Sequence, residues 1–205
     1  MIAIADYGVG NIFSLGSSLK YIGADAVLTG DMHEIEKCDR IILPGVGAFA
    51  DAAEKLRRSG LADILTKEAQ KGKPLLGICL GMQLLFDKSL EYGEHDGLGL
   101  VGGCVKPIED VIPKNYKIPH IGWNALHFPV NKEKNRLFRY VDEGEHVYFV
   151  HSYYGADCGE SVTATAEYGA ELTAAVACGN VFGTQFHPEK SGDTGMRILK
   201  AFCEL

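Results

Sequence analysis

The sequence lacks the features that mark membrane, secreted and nucleic-acid-binding proteins. No apolar stretch approaches the length that spans a bilayer, and no run of lysine and arginine stands out against a formal net charge of −7. The first six residues have no basic region followed by a long apolar run, so we expect no signal peptide. Internal repeats and domain linkers are also missing. These absences favour a cytoplasmic protein and argue against nucleic acid or an anionic membrane as its partner.

The cysteines do not form the pattern of a zinc site. They are scattered without a C-x-x-C pair, at Cys38, Cys79, Cys104, Cys158, Cys178 and Cys203. We therefore expect no metal, and 205 residues can bury a core without disulfides. Most of these side chains are expected to be buried reduced thiols. Cys79 alone has neighbours that need another explanation.

The order of predicted elements favours a single α/β domain over residues 1–205. Strands are predicted at 2–5, 26–28, 40–43, 74–78, 105–108, 121–128, 146–150, 161–166, 173–177 and 181–186. Helices are predicted at 12–21, 49–70 with a break near 59–60, 80–86 and 194–202. This order predicts a three-layer sandwich, with flanking helices on a central mixed, mostly parallel sheet. Such folds bind ligands at the carboxyl ends of their strands, where loops 6–11, 44–48 and 79–81 fall.

The segment Gly77-Ile78-Cys79-Leu80-Gly81 has the form G-x-C-x-G between a predicted strand and a predicted helix. That context is typical of a nucleophile elbow, with cysteine in place of serine. The glycines are needed because a tight strand-to-helix turn leaves no room for side chains beside the nucleophile. The turn places the Cys79 sulfur at the amino end of a helix, where the dipole and free N–H groups favour a thiolate.

A base and its orienting group are predicted in Gln185-Phe186-His187-Pro188-Glu189. Proline pushes the preceding residue out of the helical region, so His187 should be extended. Residues i and i+2 of an extended chain point the same way, which places the Glu189 carboxylate beside the imidazole. A nucleophilic thiol needs such a pair, so Cys79, His187 and Glu189 are the candidate catalytic residues.

Two backbone segments are candidates for an oxyanion hole. The N–H of Leu80, directly after the nucleophile, is the first predicted donor. The turn Pro44-Gly45-Val46-Gly47 follows a neighbouring strand and supplies a second donor from Val46 or Gly47. Because glycines flank Val46, we hypothesise that this peptide is misaligned at rest and turns inward when a partner is occupied.

Six segments in order resemble the class I (triad) glutamine amidotransferases, and among them the glutaminases that serve histidine biosynthesis. They are DYGVGN (6–11), PGVGAF (44–49), GICLGMQLLF (77–86), PHIGWN (119–124), YFVHSY (148–153) and HPEKS (187–191). The resemblance implies that Cys79 attacks the side-chain amide of glutamine and forms a thioester, from which glutamate and ammonia are released. It also implies a heterodimer with a (β/α)8-barrel cyclase that receives the ammonia, and no cofactor.

The resemblance also implies roles for further residues. It places around the substrate Gly47, Gln83, Glu91, Ser152 and Tyr153. It places at the cyclase interface Asn11, Trp123 and Lys190. Glu91 matches the α-ammonium of glutamine by charge, and Gln83 lies one helical turn past the nucleophile. Trp123 is the only tryptophan, in a predicted Gly-Trp-Asn loop, and tryptophan is frequent at interface hot spots.

Three other interpretations stay open on the sequence. A glutaminase of pyridoxal phosphate or anthranilate synthesis shares the triad, although segment 119–124 and Lys190-Ser191 favour the histidine pathway. A cysteine peptidase or thiol-dependent stress protein has a cysteine elbow but fits His187-Pro188-Glu189 poorly. A nucleotide-binding module is suggested by Gly8-Val9-Gly10, but Phe13 stands where the third glycine of that fingerprint belongs.

Overall fold

The computed structural model describes all 205 residues. The strands are β1 (Ile2–Ala5), β2 (Ala26–Thr29), β3 (Arg40–Gly45), β4 (Leu75–Cys79), β5 (Phe86–Ser89), β6 (His95–Asp96), β7 (Val101–Pro107), β8 (His120–Ala125), β9 (His146–His151), β10 (Tyr153–Ala156), β11 (Val162–Glu167), β12 (Glu171–Cys178) and β13 (Val181–Thr184). The helices are α1 (Ile12–Tyr21), α2 (Met32–Lys37), α3 (Phe49–Arg58), α4 (Leu61–Gln70), α5 (Leu80–Gln83) and α6 (Gly192–Cys203). No helix is both long and apolar enough to cross a membrane.

A seven-stranded sheet forms the centre of the fold, in the order β11-β12-β13-β4-β3-β1-β2. The five strands from β13 to β2 are parallel to one another. Strands β12 and β11 continue the sheet in antiparallel pairing. The predicted mixed, mostly parallel sheet is therefore confirmed, and β4, which ends at Cys79, is its middle strand.

The sheet has a hydrophobic core on each face because successive strand residues point to opposite sides. On one face Ile41 and Leu75 belong to a cluster that includes buried residues of α2, α3 and α4. On the other face Ile42 and Leu76 belong to a cluster with α1 and α6. The chain thus has the predicted three layers, with the parallel strands buried on both sides.

A smaller sheet and a hairpin complete the fold. The small sheet has the order β10-β7-β5-β6, and β8 pairs with β9 in an antiparallel hairpin. The hairpin is tied to the predicted triad, because the His187 N–H donates to the Tyr148 carbonyl of β9 at 3.0 Å. Strand β8 of the hairpin also packs against β11.

The secondary structure differs from prediction mainly beyond the nucleophile. The predicted helix 80–86 ends at Gln83, and Phe86 starts β5, which pairs with β7. A short apolar run such as Leu84-Leu85-Phe86 fits a buried strand as well as a helix, and pairing with a distant strand decides between them. Trp123 lies in strand β8, which confirms the predicted strand at 121–128 there, and the Gly-Trp-Asn loop predicted for it in the interface assignment is wrong. The predicted break near 59–60 is confirmed, with Gly60 at φ 76 between α3 and α4.

Candidate active site

Cys79 stands on a strained turn between β4 and α5. Its φ of 55 and ψ of −112 lie in a region that side chains rarely adopt, and strain of this kind collects at functional sites. A Cβ on Gly81 would overlap the Leu43 carbonyl oxygen, and one on Gly77 would lie 2.6 Å from the Gly81 carbonyl oxygen. The steric reason for the two glycines is confirmed. Because α5 has only four residues, its dipole is weaker than a helix over 80–86 would supply.

His187 and Glu189 form a buried pair. His187 Nδ1 donates to Glu189 Oε1 at 2.9 Å, and both side chains are 3% exposed. Burial disfavours the charged imidazole, yet the neighbouring Cys79 sulfur and the Glu189 carboxylate raise the pKa of His187 to about 9. The imidazole therefore carries its extra proton at neutral pH, ready to donate it.

The predicted extended backbone is confirmed for His187 and wrong for Glu189. His187 is extended, with φ −98 and ψ 101, but Pro188–Lys190 form a 3-10 turn, so Glu189 is not the next residue of an extended chain. The turn brings the carboxylate back to the imidazole. It is held by Ser191, whose hydroxyl donates to the His187 carbonyl at 2.6 Å and accepts from the Tyr148 N–H at 3.0 Å. Neighbouring elements thus fix the imidazole in place.

We expect Glu189→Gln to move the alkaline limit of glutamine hydrolysis to lower pH. A histidine whose pKa is raised by a carboxylate stays protonated up to that pKa and loses the proton as the pH rises through it. The neutral amide removes one cause of the rise, so the limb near pH 9 should shift down by about one unit or more, with activity lowered about 10²-fold or more. Glutamate release between pH 6 and pH 10 measures both effects.

The matched control is Glu143→Gln. Glu143 Oε1 lies 2.8 Å from His127 Nδ1, in a second histidine–glutamate pair whose side chains are 57% and 51% exposed. This change should leave the profile as in the wild type. An unchanged alkaline limb in Glu189→Gln would contradict the assigned role of the carboxylate.

A pocket of about 630 Å³ opens beside Cys79 and His187. All predicted oxyanion and substrate residues line it: Val46, Gly47, Leu80, Gln83, Glu91, Ser152 and Tyr153. Further residues of the lining that the motifs did not assign are Tyr92, Pro107, Glu109, Ile118, Pro119, Val150 and His151. The third predicted triad member, Glu189, lies behind His187 and does not line the pocket.

Two of the side chains that line the pocket make hydrogen bonds within the protein and still have an oxygen available for a ligand. Gln83 Nε2 donates to the Tyr153 carbonyl at 3.1 Å and to Gln185 Oε1 at 2.9 Å, which leaves its own oxygen available. Glu91 Oε2 accepts from the Phe49 N–H at 2.6 Å, and Glu91 has no cationic partner within the chain. The pocket therefore contains one amide oxygen and one unpaired carboxylate, and both can bind the polar groups of an amino acid.

The second predicted oxyanion segment lies beside the elbow. Gly45 pairs with Cys79 across β3 and β4, and a Cβ at Gly45 would lie 2.7 Å from the Gly81 nitrogen. The buried Tyr7 hydroxyl donates to the Pro44 carbonyl at 2.8 Å and holds the start of the turn. Val46 is exposed, and Gly47 has φ 99. A fixed start and an unpacked end are consistent with a peptide that can rotate, and the rotation stays a prediction.

Sequence reasoning assigned no role to Gln185, His120 and His151. Gln185 Nε2 lies 3.8 Å from Cys79 Sγ, and Gln185 is fully buried. Its signal was available, because it stands two residues before His187 in a predicted strand and so shares its face. The two histidines contact each other across β8 and β9, a pairing that no local pattern predicts. No group of three or more histidine, cysteine, aspartate or glutamate side chains could hold a metal ion.

The three residues predicted at a partner interface have surface-accessible side chains. Trp123 is 53% exposed on β8, with its ring against Tyr148 at a centroid distance of 5.9 Å. Asn11 precedes α1 without capping it through its side chain. Lys190 lines the pocket, is exposed and makes no ion pair within the chain. Each of them is free to contact another molecule.

Comparisons with known proteins agree over the whole length. Residues 3–204 match the family model of the class-I glutamine amidotransferases. The chain is 48% identical to the imidazole glycerol phosphate synthase subunit HisH of Caldanaerobacter subterraneus subsp. tengcongensis, covering 100% of this chain and 98% of that protein. It is 52% identical to the subunit of the same name from Bacillus cereus strain G9842, covering 98% and 93%.

Solved structures show the same fold at low identity. A glutamine amidotransferase crystal structure superposes with a TM-score of 0.76 at 21% identity, covering 99% of this chain and 97% of that one. The PurLQS structure from Thermotoga maritima gives a TM-score of 0.74 at 21% identity, with the same coverage.

Proposed function

The chain belongs to the class I glutamine amidotransferases, as a glutaminase subunit of imidazole glycerol phosphate synthase, and we propose that Cys79, His187 and Glu189 carry out its glutamine hydrolysis. The observation that carries this assignment is the buried His187–Glu189 pair, which shares one pocket with a cysteine on a strained elbow. Membership in this branch favours the histidine pathway over pyridoxal phosphate or anthranilate synthesis. We further propose that residues 1–205 act as a single amidotransferase domain in the cytoplasm.

In the proposed reaction the Cys79 thiolate attacks the side-chain amide carbon of glutamine. A carbon–sulfur bond forms, and the amide oxygen takes the negative charge. His187 gives its proton to the leaving nitrogen, the carbon–nitrogen bond breaks, and ammonia departs from a γ-glutamyl thioester. His187 then takes a proton from water, the resulting hydroxide attacks the thioester, and glutamate leaves as the thiolate is restored.

The pocket groups support an orientation of glutamine. The unpaired oxygen of Glu91 receives the α-ammonium, and the free oxygen of Gln83 accepts from an N–H of the substrate. Ser152, between β9 and β10, and Tyr153, the first residue of β10, line the same pocket. The Leu80 N–H and the peptide at Val46 and Gly47 stabilise the oxyanion once that peptide turns inward.

We assign the ammonia acceptor to a cyclase partner with a (β/α)8-barrel fold. The support is that the side chains of Asn11, Trp123 and Lys190 are accessible to another molecule and that Lys190 lines the pocket. Lys190 lies both on the pocket wall and at the surface, so a partner that pairs with its ammonium group also closes over the site. Tyr148 links Trp123 to the triad turn through its contacts with Ser191 and His187.

Glutamate release tests the function directly. The purified chain is assayed alone, with the cyclase partner, and with the partner plus its nucleotide ligand, and Cys79→Ala serves as the blank. We expect weak release from the chain alone and strong release with the liganded partner. Full activity of the isolated chain would contradict the gating role of segment 45–47 and would still support the triad assignment. An absence of Cys79-dependent release in every condition would contradict the proposed function.

We expect Trp123→Ala to weaken binding of the cyclase partner by about 30-fold, the typical effect of losing a hot-spot tryptophan. The side chain is half exposed and is not part of the buried core, so the fold should keep its stability. Titration of the partner by calorimetry measures the change. Tyr21→Ala is the matched control, because Tyr21 is an 81% exposed aromatic at the opposite end of α1 from Asn11. Equal affinities for the two variants would contradict the interface assignment.

A further inference from the structure

Two buried histidines beside the pocket have no part in the proposed reaction. His120 and His151 are directly opposite each other on β8 and β9, and they are 1% and 7% exposed. Their rings meet through His120 Nδ1 and His151 Nε2 at 2.9 Å. The His120 ring is also stacked between Phe149 and Tyr168, which fixes its plane. His151 lines the pocket, so this pair extends from the hairpin to the site.

Each histidine uses its second nitrogen for another hydrogen bond. His120 Nε2 lies 2.7 Å from Asn124 Oδ1, and that oxygen is identified because Asn124 Nδ2 donates to the Glu167 carbonyl at 2.8 Å. His151 Nδ1 lies 2.8 Å from the Tyr153 carbonyl oxygen. A continuous hydrogen-bond chain therefore runs from the Asn124 side chain to the backbone of Tyr153, a predicted substrate residue.

The hydrogen-bond chain from Asn124 to Tyr153 has more contacts than it has protons to make hydrogen bonds of them. Both ends are acceptors only, since Asn124 Oδ1 and the Tyr153 carbonyl cannot donate. Three contacts need three protons, while two neutral imidazoles supply two. Burial lowers the pKa of His151 to about 3, with His120 and His187 nearby as further causes, and burial also lowers the pKa of His120. The pair is thus neutral at physiological pH and has one proton too few.

A neutral pair has two arrangements that keep the central hydrogen bond. In the inward arrangement His120 donates to His151, and His151 donates to the Tyr153 carbonyl, so Asn124 Oδ1 has no imidazole donor. In the outward arrangement His120 donates to Asn124 and His151 donates to His120. The Tyr153 carbonyl then keeps only its bond from Gln83 Nε2 at 3.1 Å. The two arrangements differ in how firmly the substrate segment is held.

We propose that His120 and His151 are positioning residues of the glutaminase site, a two-state hydrogen-bond chain that is set at Asn124 on β8 and acts on the Tyr153 backbone beside glutamine. The proposal rests on the proposed function, because it assigns regulation to the same site. A group that donates to Asn124 Oδ1 takes the place of His120 there and favours the inward arrangement. Such a donor would thereby tighten the substrate segment without any contact to it.

Two substitutions at Asn124 should favour opposite arrangements of the His120–His151 hydrogen-bond chain. Asn124→Leu removes the outer acceptor and favours the inward arrangement, with the His151 proton on Nδ1. Asn124→Asp keeps an outer acceptor and strengthens it by charge, which favours the outward arrangement, with the proton on Nε2. Because the outward arrangement costs the Tyr153 segment one hydrogen bond, we expect Asn124→Asp to raise KM for glutamine about threefold to tenfold. Asn124→Leu should keep KM at or below the wild-type value, and kcat should change little in either variant.

Nitrogen-15 NMR of the histidine rings in the full chain reads the tautomers directly, and KM is measured on the complex with the cyclase. Asn131→Leu and Asn131→Asp are the matched controls, since Asn131 is exposed in a loop and makes no side-chain hydrogen bond. Opposite His151 tautomers in the two Asn124 variants, with KM raised only by the aspartate, would support the proposal. The same tautomer in both, or equal KM increases, would overturn it. Absence of Cys79-dependent hydrolysis in the wild type would refute the proposed function instead, since the tautomer measurement does not depend on activity.

Discussion

Cys79→Ser is expected to lower glutamine hydrolysis by about 10⁴-fold or more, the range seen when a triad nucleophile is removed. The serine hydroxyl fits the same turn, but an alcohol is a much weaker nucleophile toward an amide carbon than the sulfur of a cysteine. The buried position of residue 79 and its two flanking glycines do not change. The effect should therefore be on kcat, with thermal unfolding close to that of the wild type. Glutamate release under partner-saturated conditions measures it.

Two controls test whether the loss of activity is specific to Cys79. One tests the loss of a different thiol, and the other tests assembly with the cyclase. Cys178→Ser changes an exposed cysteine at the end of β12 and should keep full activity. In the second control, the complex of Cys79→Ser with the cyclase is supplied with ammonium salt in place of glutamine. We expect that reaction to proceed as in the wild type, because the acceptor chemistry belongs to the partner. Glutamine hydrolysis that persists in Cys79→Ser would remove Cys79 from the mechanism.

Gly81→Ala is expected to lower the free energy of unfolding by about 3 kcal/mol or more, at the upper end of overpacking changes. The added methyl group would overlap the Leu43 carbonyl oxygen, which belongs to the neighbouring strand β3. Backbone on both sides must shift, and the shift moves Leu80, the first oxyanion donor. Hydrolysis should therefore fall even in the fraction that stays folded. Urea unfolding gives the stability, and activity per folded molecule gives the second effect.

Gly16→Ala provides the comparison for this substitution. Gly16 lies within α1, and a Cβ there meets nothing within 4 Å. Alanine should stabilise the helix by about 0.5–1 kcal/mol, because glycine has more backbone freedom to lose on folding. The same chemical change is thus predicted to act in opposite directions at two positions. Equal unfolding free energies for Gly81→Ala and the wild type would show that the elbow can relax, contrary to the packing observed.

The strained backbone conformation of Cys79 depends on the packing that the nearby glycines allow. A non-glycine residue at φ 55 costs about 1–3 kcal/mol, and the surrounding packing must hold it there. Gly77 and Gly81 allow that packing by bringing α5 against β3 and β4 without side chains between them. The sulfur is then presented to the pocket from the middle strand of the sheet. Stability is given up at one residue to expose a nucleophile on an otherwise buried strand.

The sequence by itself determined the features that rest on short local patterns. The sheet type followed from apolar strands that alternate with helices, since parallel strands buried on both faces have that pattern. The elbow followed from G-x-C-x-G, because its steric demand involves neighbours in the chain. The pairing of His187 with Glu189 was also foreseeable, although the 3-10 turn that brings them together was not. The carboxyl-end rule placed loops 6–11, 44–48 and 79–81 at one edge before any contact was known.

The tertiary structure alone decided the features that depend on contacts between distant segments. Pairing with β7 ended the helix after Gln83, and pairing of β8 with β9 placed Trp123 opposite Tyr148. The same hairpin set His120 against His151. None of these contacts has a local signal, because strand register is set by long-range pairing and turn geometry. Local sterics specify the nucleophile in the sequence, while long-range register builds the polar surroundings in which it acts.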